Sequence, residues 1–218
     1  YERYKSLKNE GHKKLALTQP LNNLFYLKDQ TSYISLSQKQ INQTLNNIKK
    51  SLSLGALGIG VPIGYLPGAK AEEVYRVYEL AKDKETLIFS HVREGRIIAI
   101  QQAISDAILT GASLHIVHIN SMALGEINLA IEMINKAQLR GYDITTELYP
   151  YTAASTSLES AFFDEGWEKR LGIGFNDLQW EATGERLSKK TFNKYREIGG
   201  TVIIHMMKPE WIKNGIAS

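Results

Sequence analysis

The chain has 218 residues, 43% of them apolar and 22% charged, which is enough to bury a sizeable core and too apolar for a disordered tail. Its net charge is +3, with 26 basic residues scattered among 23 acidic ones, so no basic stripe marks a nucleic-acid partner. Cysteine is absent, which excludes a disulfide framework and a thiolate site within these residues, and no apolar run approaches the ~20 residues that cross a bilayer.

Residues 1–35 are polar and rich in Lys and Asn, and read as connecting segments with His12 solvated among them. They carry no charged-then-apolar leader, and the first residue is Tyr1. The expectation is a segment of a longer, cytoplasmic polypeptide.

Regular structure starts at residue 36. Ile41, Leu45, Ile48 and Leu52 fall on one face of a helix. Ser37 with Gln40 forms a capping box, Leu36 with Ile41 the hydrophobic staple, and Gly55 the stop. Apolar strands then start near 56, 86, 114 and 143, about 30 residues apart. Amphipathic helices separate them, over Ala71 to Ala81, Ile97 to Ile108 and Leu124 to Ile134, with Gly111 and Gly141 as stops. Strands alternating with helices at this pitch predict βαβ units and a parallel sheet. A doubly wound sheet and a (β/α)₈ barrel both fit. A whole barrel needs about 250 residues, so a barrel would be present only in its middle and later units. Residues 36–151 carry the regular units. Residues 152–218 read as an irregular, aromatic-rich later part, with a helix around Phe192 and Tyr195, an apolar run at Thr201 to Ile204 and a turn after Pro209.

In parallel α/β folds the chemistry sits where the strands end. The second strand ends Ser90-His91-Val92-Arg93 and the third is expected to run from Leu114 to Ile119, through His118. Two successive strands thus deliver a His to one rim. Neighbouring strands lie about 4.8 Å apart, so the two imidazoles can converge on one ion, with Zn–N near about 2.1 Å. His115, three residues before His118, points to the other face and is expected to be structural. His205 ends the Thr201 to Ile204 run and is expected to be structural as well. Arg93 and Glu94 follow the first His, a pair that suits either capping of the next helix or, through the Arg, a substrate carboxylate. Tyr149 and Tyr151 flank Pro150 at the fourth strand end. Gly58, Gly60, Gly64 and Gly68 form no phosphate cradle, lacking the third glycine at the required offset.

Four segments in order carry more than a pattern. They are Gly55-Ala56-Leu57-Gly58-Ile59-Gly60 with Tyr65 and Pro67-Gly68, then Ser90-His91-Val92-Arg93, then Val117-His118-Ile119-Asn120-Ser121, then Thr145-Thr146-Glu147-Leu148-Tyr149-Pro150-Tyr151-Thr152-Ala153. Together they resemble the D-aminoacylase branch of the amidohydrolase superfamily, nearest to the D-glutamate deacylases. Thr183-Gly184-Glu185-Arg186-Leu187 and Gly199-Gly200 share that resemblance, which covers about residues 50–218.

The resemblance implies a partial (β/α)₈ TIM barrel of a zinc-dependent hydrolase acting on a small-molecule N-acyl-D-amino acid, with one or two zinc ions. It implies His91 and His118 as zinc ligands, and Tyr65, Arg93, Asn120, Tyr149 and Tyr151 as substrate contacts. The family's H-x-H pair is then expected before Tyr1 and its catalytic Asp after Ser218, so these residues alone are expected to be inactive. Many relatives carry Lys two residues after the second His, where this chain has Asn120. Arg93, Tyr65 or Tyr151 is left to meet the substrate's carboxylate. Two alternatives stay open: a metal-free α/β-barrel enzyme with His91 as general base, and a non-catalytic small-molecule-binding homologue.

Overall fold

The computed structural model describes residues 30–93 and 96–217. His12 and Glu94 lie outside the described residues. After a 3-10 turn at Gln30–Tyr33, helix α1 (Gln38–Ser53) opens on the expected capping box. The Gln40 amide donates to Ser37 Oγ at 3.4 Å and the Ser37 amide to Gln40 Oε1 at 2.8 Å, satisfying amides that a first helical turn leaves without partners. Leu36 and Ile41 pack together as the staple. Leu45, Ile48 and Leu52 lie against the main core.

The βα rhythm follows as β1 (Gly58–Pro62), α2 (Ala71–Asp83), β2 (Leu87–His91), α3 (Ile97–Thr110), β3 (Leu114–Ile116), α4 (Ile119–Ala123), α5 (Ile127–Gln138) and β4 (Ile144–Thr146). All four strands pair in parallel, in the order β1-β2-β3-β4. Alternation along the strands decides the two faces. Ile59, Val61, Ile88, Leu114, Ile116 and Ile144 point toward the helices and build the core with Ile100, Ile104, Ile127 and Ile131. Gly60, Phe89, His115 and Thr145 are register partners across the sheet and form one row on the opposite face. That face is open: Phe89 is 40% exposed.

Two expectations need correction. The third strand, expected to reach Ile119, ends at Ile116, and Ile119 already opens α4. The apolar run continues past the strand because Ile119 is fully buried in the helical layer instead. The helix expected over Leu124 to Ile134 starts at Ile127, with Leu124 in a 3-10 turn before it.

Residues beyond 151 are more ordered than expected. They contain β5 (Ala154–Ser157), α6 (Trp167–Leu171), β6 (Leu178–Trp180), α7 (Lys189–Ile198) and β7 (Thr201–Ile204). The three strands form an antiparallel sheet in the order β5-β7-β6. Phe163, Trp167, Phe175 and Phe192 interleave in a second core, with the Trp167 and Phe192 rings stacked at 5.4 Å. Short strands such as Ala154-Ser155-Thr156-Ser157 carry little apolar alternation, so their pairing leaves a weak trace in sequence. Tyr65 Oη lies 2.9 Å from Thr156 Oγ1, and the Tyr33 hydroxyl donates to Asp164 Oδ2 at 2.6 Å. Helix α8 (Pro209–Ala217) returns to the parallel layer, with Trp211 over Gly125 and Gly215 against Leu148 and Ile127. Among the described residues no helix is long and apolar enough to cross a membrane.

Candidate metal centre

His91 is the last residue of β2. Its ring fits against the loop after β1. A methyl group at Gly64 would meet His91 Nδ1 at 2.7 Å, so a side chain there would push the imidazole away. The Tyr65 ring covers it at a centroid distance of 4.7 Å. His91 Nδ1 lies 3.3 Å from the Val92 carbonyl. A carbonyl only accepts, so Nδ1 carries the proton and Nε2 keeps its lone pair.

His118 reaches the same place by a different route. It stands two residues past β3, with φ 37° and ψ 59°. That left-handed conformation costs a non-glycine residue roughly 1–3 kcal/mol. If β3 had continued, alternation would have put His115 on the face of Phe89 and His91, and His118 on the opposite one. The left-handed turn cancels this. The His91 and His118 rings sit 4.9 Å apart, edge to face at 76°.

A short chain of hydrogen bonds fixes the tautomer of His118. Ser121 Oγ donates to the His118 carbonyl at 3.0 Å and lies 2.8 Å from His118 Nδ1. With its one proton spent on the carbonyl, the hydroxyl accepts from Nδ1–H, again leaving Nε2 basic. Burial lowers the pKa of both rings. For His91 burial acts first and the neighbouring His118 second, bringing it to about 4. For His118 burial dominates, opposed by its own backbone and by Glu147. Both are neutral at pH 7, the state in which imidazole binds metal.

Two neutral imidazoles, each with Nδ1–H tied back to protein and, among the described residues, no hydrogen bond to Nε2, match the way histidine ligates zinc. Among the described residues no third His, Asp or Glu completes a cluster with them. The pair fits zinc as two of its ligands.

The other candidates divide. Tyr149 stands beside the pair, its ring 6.4 Å from His118 and stacked at 6.4 Å on Tyr151, which is largely exposed. Among the described residues the buried Tyr149 hydroxyl has no hydrogen-bond partner. Burial raises its pKa. Tyr65 covers His91, and burial raises the pKa of its phenol too. Asn120 is fully buried and grips the Tyr149 backbone at both ends: Nδ2 donates to the carbonyl at 2.8 Å, and Oδ1 accepts from the amide at 3.4 Å. Arg93 turns toward the helices, donating to the Ala69 carbonyl with Glu73 and Asp106 as its charged neighbours. His205 stands just past β7, its Nε2 2.9 Å from Gln179 Oε1.

No protein-family model matches the chain, and no curated protein matches it. Solved structures do. An N-acyl-D-glutamate deacylase from Bordetella bronchiseptica, crystallised with zinc and a phosphonate mimic of the tetrahedral intermediate, superposes with a TM-score of 0.70 at 19% identity, over 86% of this chain and 42% of that one. A D-aminoacylase described as defining a subset of amidohydrolases gives 0.66 at 20% identity, over 85% and 42%. A D-aminoacylase structure concerned with a binuclear metal centre gives 0.63 at 19% identity, over 83% and 41%. The fold is part of a (β/α)₈ barrel, similar to that of these structures. The chain spans about 42% of the length of the first of these structures, so the four parallel strands are an arc of such a barrel rather than a doubly wound sheet.

Within this arc the sequence reading missed Ser121, Glu147 and the position of His115. His115 lies on the same sheet face as His91, two residues below its level, and is bonded to Thr145 and Glu147. The signal was available: in Thr145-Thr146-Glu147, alternation puts Thr145 and Glu147 on one face.

Proposed function

We propose that the protein is a zinc-dependent hydrolase that cleaves the amide bond of N-acyl-D-amino acids. The observation that carries this is the His91–His118 pair, neutral, with both Nδ1 atoms tied back to protein and, among the described residues, no hydrogen bond to either Nε2. The Nε2 atoms of His91 and His118 would hold the ion, with the remaining ligands and the catalytic Asp supplied by residues outside those described. Zinc bound there supplies Lewis acidity for amide hydrolysis. The fold relatives named above, a deacylase with zinc and D-aminoacylases, support the reaction class.

The chain's own residues bind and orient. Among the described residues the buried Tyr149 hydroxyl has no hydrogen-bond partner, and it donates to a polar group of the substrate. Tyr151 extends that wall into solvent, and Tyr65 packs the far side of His91. Asn120 acts through Tyr149 by holding its backbone. Arg93 meets a carboxylate only if it leaves the Ala69 carbonyl.

The test is zinc content and turnover of N-acyl-D-amino acids by the full-length protein, before and after His118→Ala. Loss of zinc and of at least 100-fold in rate is expected, on the order of the cost of removing a group that acts in the transition state. Unchanged zinc and rate would overturn the reading.

A further inference from the structure

We infer that Glu147 is the positioning residue that keeps His118 turned toward His91. The inference deepens the zinc reading and rests on it for its metal-binding consequence only.

The ladder between β3 and β4 stops at the pair Ile116–Thr146. His118, in a left-handed turn, can no longer offer its amide to a strand neighbour and needs another acceptor. Glu147, the first residue after β4, supplies it. Its Oε1 accepts the His118 amide at 2.5 Å, and its carbonyl accepts the amide of Ile119 at 2.8 Å. The turn is therefore pinned on two consecutive amides by a single residue. The other carboxylate oxygen, Oε2, is bonded to His115 Nε2, and His115 Nδ1 lies 2.9 Å from Thr145 Oγ1. A Thr145 hydroxyl proton donated to Nδ1 leaves Nε2–H to donate to Glu147, so each bond in the chain has one proton. His115 and Thr145 thus fix the carboxylate, the carboxylate fixes the His118 turn, and the turn aims the His118 ring. A hydrogen bond to a carboxylate is shorter and roughly twice as strong as one between neutral groups. The Glu147 side chain is 47% exposed, so its removal leaves the hydrophobic core intact and frees the turn.

Two readouts on the full-length protein test this. The first needs no metal: the backbone amide proton of His118, followed by NMR. It is expected far downfield in the wild type, to move upfield in Glu147→Ala, and to stay near its wild-type position in Glu147→Gln, which keeps an acceptor. The second is zinc affinity, expected to fall about 10- to 100-fold in Glu147→Ala, the usual cost of losing a group that orients a metal ligand, and to be largely restored in Glu147→Gln. A merely structural role would not distinguish the two variants. An unmoved His118 amide in Glu147→Ala, or a zinc affinity equal to that of the wild type, would overturn the inference. If the wild type takes up no zinc, the hydrolase reading falls, and the amide signal alone decides the role of Glu147.

Discussion

Asn120→Leu separates a residue that holds the site's backbone from one that touches substrate. The two side chains have the same number of heavy atoms, so the exchange opens no cavity; it removes the polar atoms and sets two bulkier methyl groups in their place, which adds an overpacking cost at this fully buried site. Asn120 is fully buried and its Nδ2 donates to the Tyr149 carbonyl at 2.8 Å, while the 3.4 Å contact from the Tyr149 amide is weak. The dominant loss is therefore one good bond to a carbonyl left without its partner, about 1–3 kcal/mol. The extra apolar surface of leucine offsets a fraction of this. A net loss of about 2 kcal/mol lowers Tm by roughly 4–8 °C in a chain of this size. Thermal and urea denaturation of the wild type and variant measure it. Asn120→Asp, run in parallel, keeps the acceptor but sets oxygen against oxygen at Tyr149, and is expected to be at least as damaging at neutral pH. If both variants melt with the wild type and only KM for an N-acyl amino acid rises, Asn120 is a substrate contact and the backbone-clamp reasoning is wrong.

Gly64→Ala places a methyl 2.7 Å from His91 Nδ1 and 2.8 Å from the Val92 carbonyl. It is expected to cost about 1–3 kcal/mol by overpacking and to displace the His91 ring, read as a lowered urea midpoint together with weakened zinc uptake. Gly68→Ala is expected to be worse, because the new atom overlaps the Tyr33 backbone carbonyl rather than a movable side chain, and the contact between Ser32 and Gly68 is broken; limited proteolysis near residues 30–36 checks this. Burial first, then the hydrogen bond and charge of Asp164, push the Tyr33 phenol up to about 12. A raised acid binds its proton more tightly in the folded state, so this stabilisation is present below about pH 10 and is lost as pH rises from there to about 12. Ring NMR of Tyr33 is expected to titrate near that value in the wild type and lower in Asp164→Asn. An unshifted midpoint in the variant contradicts the assignment.

Much of the parallel layer was legible in the chain. Residues spaced as Ile41, Leu45, Ile48 and Leu52 can bury one stripe only as a helix. Alternating short apolar runs and amphipathic stretches have few ways to pack other than as βα units. The box at Ser37 and Gln40 is local chemistry and formed as read. The antiparallel sheet was not legible, because the strand Ala154–Ser157 gains its partners from β7, nearly fifty residues away, and nothing within it signals that pairing.

The residue types of the site came from sequence, but their convergence did not. Spacing puts a His near each of two strand ends, and alternation alone would send His118 away from His91 and bring His115 toward it. The tertiary structure decides otherwise, through one left-handed residue whose amide is satisfied by a carboxylate just past the next strand. A backbone dihedral of that sign is unfavourable for histidine by itself. It exists only because packing and a hydrogen bond from a distant part of the chain make it worthwhile, and so no local rule could have written it.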